Sequence, residues 1–512
     1  MGVNILNASL YALIESCFPA DRSRIAIETA SGARTSYGEM EAIVARYAGA
    51  IRALGVKPGE RVAVQVEKSS EALFLYLACL KTGVIYLPLN SAYQGGEIDY
   101  FLGDATPAIF VFQPKSRVWA LPLCDKHKVP HRFSLAAEGE EKASDDWHVN
   151  AANTPPLLAF EPRAADDLAA ILYTSGTTGR SKGAMITHQN LSSNAKTLHA
   201  YWGFREGDVL LHALPLFHVH GLFVAAHTAL LNGSTMLFHS KFDADTALAA
   251  LPRATLFMGV PTMYVRLLTT PAFNADSCRN IRLFVSGSAP LLAETFDEFK
   301  TRTGHTILER YGMTETGMIT SNPLNGERRG GTVGHPLPGV TARVVDDDLQ
   351  PVKQGGIGHI QVQGPNVLPG YWQMPEKNKE EFTRDGFFKT GDMGQVSADG
   401  YISIVGRSKD LVISGGYNVY PKEIELLLDV IPGVAESAVI GVPHPDFGEA
   451  VAAVVVAKPG VTLDEAAIIA TVKGQLANFK VPKRIFIVAD LPRNTMGKVQ
   501  KNELRKTYAS SF

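Results

Sequence analysis

The stretch Tyr173–Gly183 reads Y-T-S-G-T-T-G-R-S-K-G and directly follows an apolar run, Leu168–Leu172. The run has the length and bulk of a buried strand. Behind it come glycines, hydroxyl side chains and two cations, Arg180 and Lys182, with nothing bulky among them. Small residues let backbone N–H groups approach an anion, hydroxyls donate to its oxygens, and the cations add charge. The stretch therefore reads as a polyphosphate cradle. It is not a P-loop, which needs G-x-x-x-x-G-K-[ST], because Lys182 follows a serine and precedes Gly183. The plainer alternative is a flexible Gly/Ser/Thr surface loop, and the strand before it and the cations at its end argue against that.

A chain of 512 residues is too long for one core, so a large layered region with at least one further domain is expected. The net charge of −2 gives no nucleic-acid footprint. Cys17, Cys79, Cys124 and Cys278 lie far apart without C-x-x-C spacing, which indicates neither zinc nor a disulfide scaffold and suits a reducing cytoplasm. Acidic and basic residues interrupt the N-terminal apolar positions, so no secretory signal is expected. The Met1-Gly2 start lacks the Ser or Thr that myristoylation needs. No apolar stretch reaches 18 residues, so no membrane span is expected.

Ser36 and Glu39 form a capping box ahead of apolar residues at helical spacing, from Met40 to Leu54. Next come a strand pattern at 61–66, a helix at 70–81 and a strand at 84–88, which argues for parallel α/β layers. Residues 114–165 are irregular and read as peripheral. A helix is expected over 190–201, then the apolar run 209–214 enters Pro215–Gly221, which carries His218 and His220. No Cys or carboxylate lies nearby at ligand spacing, so a metal is not favoured there. Further on come a helix from Gly259-Val260-Pro261-Thr262 through Leu268, a strand 282–285 running into Ser286–Pro290, and a short strand 307–309 before Arg310–Thr316. Loops of small residues at strand ends are where α/β enzymes hold ligands. From Gly331 the pattern shifts to short alternating strands, a β subdomain. The C-terminal part shows strands at 411–413, 436–440, 451–456 and 484–488. Helices are expected at 421–428 and from a Thr462/Glu465 cap to about Ala477. The expected organisation is a large N-terminal α/β domain (1–406), a hinge (407–410) and a small mobile C-terminal α+β domain (411–512).

The phosphate stretch, Ser286–Pro290, Tyr311–Thr316, Phe387–Asp392 with Gly406–Asp410, and Pro492–Lys498 occur in the order seen in the adenylate-forming superfamily of acyl-CoA synthetases, luciferases and peptide-synthetase adenylation domains. The chain resembles that superfamily over essentially its whole length. The resemblance implies that Thr174, Ser175, Gly176, Thr177, Thr178 and Lys182 cradle ATP phosphates and that Thr314 adds a further phosphate contact. It implies that Tyr311 stacks on adenine, with Ser288, Ala289, Pro290, Glu309 and Gly312 around the nucleotide. Glu315 would ligate Mg²⁺, a hard carboxylate for a hard cation, and Asp392 would accept the ribose hydroxyls beside Arg407. Lys498 would reach the first active site, Lys409 would be the hinge, and Gly415 and Gly416 would face CoA after the small domain turns. His218 would gate the thiol tunnel. The implied reaction makes an acyl-adenylate from ATP and a carboxylic acid, then transfers the acyl group to CoA.

Around His218, Ser286–Leu291 and Tyr311–Met318 the sequence resembles malonyl-CoA synthetases. A pocket for a fatty or aromatic acid needs no buried cation, yet the helix after Gly259 carries Arg266 among apolar residues. The alternative for Arg266 is a side chain snorkelling to solvent. The resemblance points to Arg266 and Ser288 on the distal carboxylate of malonate and Met318 limiting room at C2, with Arg282 a weaker candidate. Methylmalonate or another short acid is the alternative substrate, and a carrier-protein-loading module the alternative class. No nucleic-acid or membrane partner is expected, and monomer and dimer stay open.

Overall fold

The computed structural model describes residues 7–174, 181–414, 417–473 and 475–512. The capping box forms as expected: Ser36 Oγ accepts from Glu39 N at 3.2 Å, and the Glu39 carboxylate accepts from Ser36 N at 2.8 Å. The helix Tyr37–Ala53 follows and buries Met40, Val44, Tyr47 and Ile51.

Two large sheets form the N-terminal part. One runs in the order Gly370–Tyr371, Lys182–Thr187, Leu168–Thr174, Ile85–Pro88, Arg61–Gln65, Ile109–Phe112, His131–Ser134. It is parallel from Leu168–Thr174 to His131–Ser134 and antiparallel where Lys182–Thr187 turns back. Ile85–Pro88 and Ile109–Phe112 are buried at every position, which is why they read as unbroken apolar runs. In the other sheet, Ile25–Thr29, Thr235–Phe238, Val209–His212, Leu256–Gly259, Leu283–Ser286 and Leu308–Met313 are parallel neighbours, with antiparallel strands at both edges. The helix Ser70–Thr82 is buried around its circumference, and Leu73–Leu80 share a core with residues of both sheets.

A four-stranded antiparallel sheet, Thr341–Val345, Gly358–Gln363, Phe388–Val396 and Ile402–Arg407, makes the β subdomain. The short turn Ser408–Asp410 leads out of it. Beyond lie Val412–Ser414, Tyr417–Val419, Val434–His444, Gly448–Ala457 and Arg484–Val488, paired in one sheet with cores of their own.

Two expectations change. Residues 114–165 are not merely peripheral, because His131–Ser134 extends the first sheet and Trp147 is fully buried edge-on to Tyr47 at 6.0 Å. The helix Glu465–Lys473 is capped by Asp464, whose Oδ1 accepts from Ala467 N at 2.7 Å. Glu465 instead binds Arg484 Nε and Ile485 N on the neighbouring strand.

Candidate active site

Thr174, at the end of Leu168–Thr174, reaches Glu315 just beyond Leu308–Met313, and Ser286 of Leu283–Ser286 pairs with Glu309, so these strand ends lie together, as strand ends that hold ligands do in α/β enzymes. Ser175, Gly176, Thr177 and Thr178 lie outside the described residues. At the cradle's start, Thr174 Oγ1 donates to Glu315 Oε1 at 3.2 Å, and Tyr371 OH donates to the same oxygen at 3.1 Å. Burial and the adjacent carboxylate push the Tyr371 phenol far up, so it stays a donor. Lys182 Nζ pairs with Glu381 at 3.1 Å and lies 4.1 Å from the centre of the Tyr371 ring. Sequence reading did not find Tyr371 and Glu381, since a two-residue strand and a surface-patterned helix carry no periodic signal.

Beside Tyr311, Asp392 is buried and held from three sides. Tyr311 OH donates to Oδ2 at 2.5 Å, Arg407 Nε to Oδ1 at 2.8 Å, and Asp392 N to Thr390 Oγ1 at 3.1 Å. Glu309 is buried nearby and accepts from Gly331 N at 3.3 Å; burial pushes its carboxyl up to about 8, so it is protonated at neutral pH. Gly312 has no room for a side chain, since a Cβ there would come within 2.2 Å of Gly317 O. Thr314 is half-buried at the tip of the same hairpin.

The third end is cationic and underbonded. Arg310 is 3% exposed, and its Nε and Nη2 have no hydrogen-bond partner among the described residues. Its guanidinium lies where a side chain on Gly287 would be, 2.4 Å from an ideal Cβ. Burial without a carboxylate pushes Arg310 down to about 9. The hydroxyl of Ser286 and Nε2 of His220 are likewise buried and unbonded. Ser288 holds a left-handed backbone (φ 73°), which serine rarely adopts, and places Oγ 3.3 Å from His220 Nδ1. Ala289 is half-buried and Pro290 exposed beside it. His220 opens a π-helix, His220–Ala226, a form frequent at functional sites. His218 Nδ1 accepts from His220 N at 3.2 Å; burial, with Arg310 adding, pushes His218 down to about 4, so it is neutral. Met318 is buried, its backbone clamped by Asn194, which accepts from Met318 N at 3.0 Å and donates to Met318 O at 2.9 Å.

The structure does not bring Arg266 to this end. Its helix, Pro261–Leu268, turns Met263, Tyr264, Leu267 and Leu268 inward and leaves Arg266 exposed on the rim of a separate 480 Å³ cavity. Arg282 is occupied by a pair with buried Asp208, including Nε to Oδ1 at 2.9 Å. The buried cation beside Gly287 is Arg310, which sequence reading passed over.

The C-terminal loop closes the cleft. Asn494 Oδ1 accepts from Met496 N and Lys498 N, both at 3.0 Å, and Asn90 Nδ2 donates to Thr495 Oγ1 at 3.3 Å across the two parts. Gly497 (φ 74°) packs so tightly on Thr262 that a Cβ would meet its Oγ1 at 2.8 Å. Lys498 is exposed on this loop, and partial desolvation by the surrounding chain pushes it down to about 8, with Arg407 and Lys409 reinforcing and Asp392 and Asp410 opposing. Lys409 is exposed beside Asp410, which pairs with Arg505 at 2.7 Å. Gly415 and Gly416 lie outside the described residues.

No cluster of three or more metal-ligating side chains occurs among the described residues. Among the described residues, Glu315 receives both its hydrogen bonds on Oε1. One hard carboxylate with an oxygen to spare fits Mg²⁺, which is commonly held by one or two carboxylates and substrate phosphates. No helix among the described residues is long and apolar enough to cross a membrane.

Comparison with known proteins agrees with this geometry. The chain is similar to an Arabidopsis thaliana malonate–CoA ligase, 36% identical over 486 residues that cover 88% of this chain and 79% of that one. It is equally similar, at 36% over 481 residues, to an Amycolatopsis feruloyl-CoA synthase, covering 93% of this chain and 94% of that one. ATP-bound MatB from Rhodopseudomonas palustris is 53% identical and superposes with a TM-score of 0.95 over 99% of this chain and 100% of that one. The apo form of that protein, with the same coverage, superposes at 0.84. Residues 18–372 match the AMP-binding enzyme family and residues 423–498 the AMP-binding enzyme C-terminal domain, and the chain belongs to that family.

Proposed function

We propose that this enzyme ligates malonate to CoA at the expense of ATP, through a malonyl-adenylate, releasing pyrophosphate and then AMP. The observation that carries the malonate assignment is the buried, unpaired Arg310 beside the unbonded Ser286 hydroxyl, with Ser288 and His220 adjoining. A dicarboxylate supplies the missing anion in bidentate form. An acid ending in a methyl or aromatic group would leave the guanidinium uncompensated. Arg310 thus takes the role first expected of Arg266, with Ser288 beside it and Met318 limiting bulk at C2.

In the first half-reaction the proximal carboxylate attacks the α-phosphorus of ATP, and mutual repulsion of the two anions is the obstacle. Lys498, in the orientation held by Thr262 and Asn90, offsets that charge, and the Thr174–Thr178 cradle with Lys182 and Thr314 holds the phosphates. Tyr311, with Glu309, Gly312 and the Ser288–Pro290 loop, positions the nucleoside, while Asp392 and Arg407 take the ribose. Mg²⁺, held by Glu315 and the substrate phosphates, supplies charge neutralisation when bound. The C-terminal part (411–512) then turns on the N-terminal part (1–406) about the 407–410 hinge at Lys409. The turn withdraws Lys498 and brings Gly415 and Gly416 to face CoA, with His218 at the gate. The four free cysteines suit the reducing cytoplasm as the site of action.

ATP–pyrophosphate exchange with malonate, methylmalonate, succinate, acetate and octanoate tests this reading. Malonate is expected to dominate. Arg310→Met is expected to lower malonate-dependent exchange about 100-fold, the scale of losing one partner of a buried charge pair, while Arg266→Ala leaves exchange nearly unchanged. Exchange dominated by a monocarboxylate, or an Arg310→Met variant as active as the parent, overturns the assignment.

A further inference from the structure

Glu381 touches a side chain of the phosphate cradle, yet the two half-reactions assign it no task. Its Oε1 lies 3.1 Å from Lys182 Nζ, and the two side chains are only 18% and 13% exposed, so water screens this pair less than a surface one. The backbone fixes the meeting. Lys182 opens the strand Lys182–Thr187, which pairs with Gly370–Tyr371, Ala184 opposite Tyr371, and Trp372 N donates to Gly183 O at 2.7 Å. The helix Pro375–Glu381 follows, and its Asn378 clasps Tyr371: Oδ1 accepts from Tyr371 N at 2.7 Å and Nδ2 donates to Tyr371 O at 3.2 Å. Glu381 closes that helix and is thereby held against Lys182.

A carboxylate facing a phosphate site opposes it twice, by repelling the anion and by occupying the cation the anion needs. Its neighbours give the arrangement a purpose. Lys377, one helical turn earlier and half-buried, puts Nζ 3.3 Å from the same Glu381 Oε1 and 3.0 Å from Glu380 Oε2. Glu381 is therefore shared between two ammonium groups, and the departure of one leaves the other beside it. Lys182 in turn rests 4.1 Å from the centre of the Tyr371 ring, a second seat that carries no formal charge. The hydroxyl of that ring donates to Glu315 Oε1 at 3.1 Å, which ties the seat to the carboxylate that suits Mg²⁺. Two arrangements are thus balanced in charge: Lys182 on Glu381, or Lys182 on a phosphate with Lys377 on Glu381.

We propose that Glu381 is a positioning residue that governs pyrophosphate release. Lys182 leaves Glu381 for the departing phosphates of ATP, Lys377 neutralises Glu381 meanwhile, and Glu381 recaptures Lys182 as pyrophosphate leaves. The proposal rests on the reading of Lys182 as a phosphate contact. No covalent bond changes in this exchange: one carboxylate competes with a polyanion for one ammonium, and the competition weakens the hold on the product.

The test is titration calorimetry of the full-length enzyme, without an acid substrate, against Mg·ATP, Mg·pyrophosphate and AMP. AMP lacks the two departing phosphates and so reports the integrity of the nucleoside site. Glu381→Gln keeps the size of the side chain and an accepting oxygen but removes the charge. It is expected to bind ATP and pyrophosphate about tenfold more tightly, between the scales of exposed and desolvated charge pairs, and AMP within about twofold of the parent. Pyrophosphate should correspondingly become a stronger inhibitor of malonyl-CoA formation. Lys377→Met is expected to act in the opposite direction, weakening both phosphate ligands about threefold, because Glu381 then depends on Lys182 alone. Lys182→Met is expected to weaken both about tenfold. In that background Glu381→Gln should change either affinity by less than about twofold, since its effect runs through the lysine. Glu381→Gln with parental or weaker affinity for ATP and pyrophosphate overturns the proposal. So does an equal change in AMP binding, or an effect that persists beside Lys182→Met, either of which makes Glu381 a support of the fold. Parental affinities in Lys182→Met overturn the reading of Lys182 itself, and the proposal falls with it.

Discussion

At the scale of single residues, Arg310 sets a conflict between stability and recognition. A guanidinium buried with Nε and Nη2 unbonded costs the ligand-free protein free energy that an apolar side chain would not. Arg310→Met is therefore expected to melt higher than the parent without ligands, by at least about 2 °C. Malonate should raise the melting temperature of the parent and not of the variant. Differential scanning calorimetry with and without malonate measures both effects; a variant that melts lower would mean that Arg310 has a structural partner. The residue was within reach of the sequence and still missed, for a geometric reason. Side chains alternate across a strand, so Arg310 faces opposite to its neighbours Glu309 and Tyr311. Those two were read as nucleotide contacts, and nothing in spacing alone reveals that the reverse face borders Gly287. Arg266 misled because Met263, Tyr264, Leu267 and Leu268 take the buried side of its helix while Arg266 and its neighbour Val265 face solvent.

At the scale of elements, features written in local chemistry were the legible ones. The Ser36/Glu39 box, the helix Pro421–Leu428 and the strand Arg484–Val488 fall where pattern and capping place them. Elements that exist through distant pairing were not legible: the two-residue strand Gly370–Tyr371 depends on Lys182–Thr187, nearly two hundred positions earlier. The π-helix His220–Ala226 likewise lacks a local code. The strand Leu308–Met313 has a measurable signature in Glu309. The unfolded chain releases that proton near 4.5, while the folded chain holds it to about 8. The contribution is thus fully present below about 4.5 and is lost as pH rises through 8. Glu309→Gln removes that term, so thermal unfolding followed between pH 5 and 8 should show a smaller decline for the variant than for the parent. Equal slopes would mean that Glu309 ionises normally.

At the scale of the whole molecule, the small C-terminal part is docked through few but exacting contacts. These are Gly497 on Thr262, Asn90 with Thr495, and Lys458 with Glu294 at 2.7 Å. Motif order in the sequence foretold a large N-terminal and a small C-terminal part, but could not say how the two are docked. The docking is written in pairings between distant positions, Gly497 on Thr262, Thr495 with Asn90 and Lys458 with Glu294, which carry no local signal. Asn90→Cys with Thr495→Cys, joined by a short cleavable thiol crosslinker, is expected to keep malonate-dependent pyrophosphate exchange and lose CoA-ester formation until the link is cut. Ester formation by the linked protein would show that no rotation is needed. Arg493, Asn494, Thr495 and Gly497, from the loop that carries Lys498, also form part of the wall of the 480 Å³ cavity. The loop is therefore a turnstile as well as a tool: while the lysine is engaged, that cavity is narrowed. On the proposed two-step reading, an enzyme short of CoA would hold its mixed anhydride with this loop engaged, and ATP consumption would stop at one nucleotide per molecule.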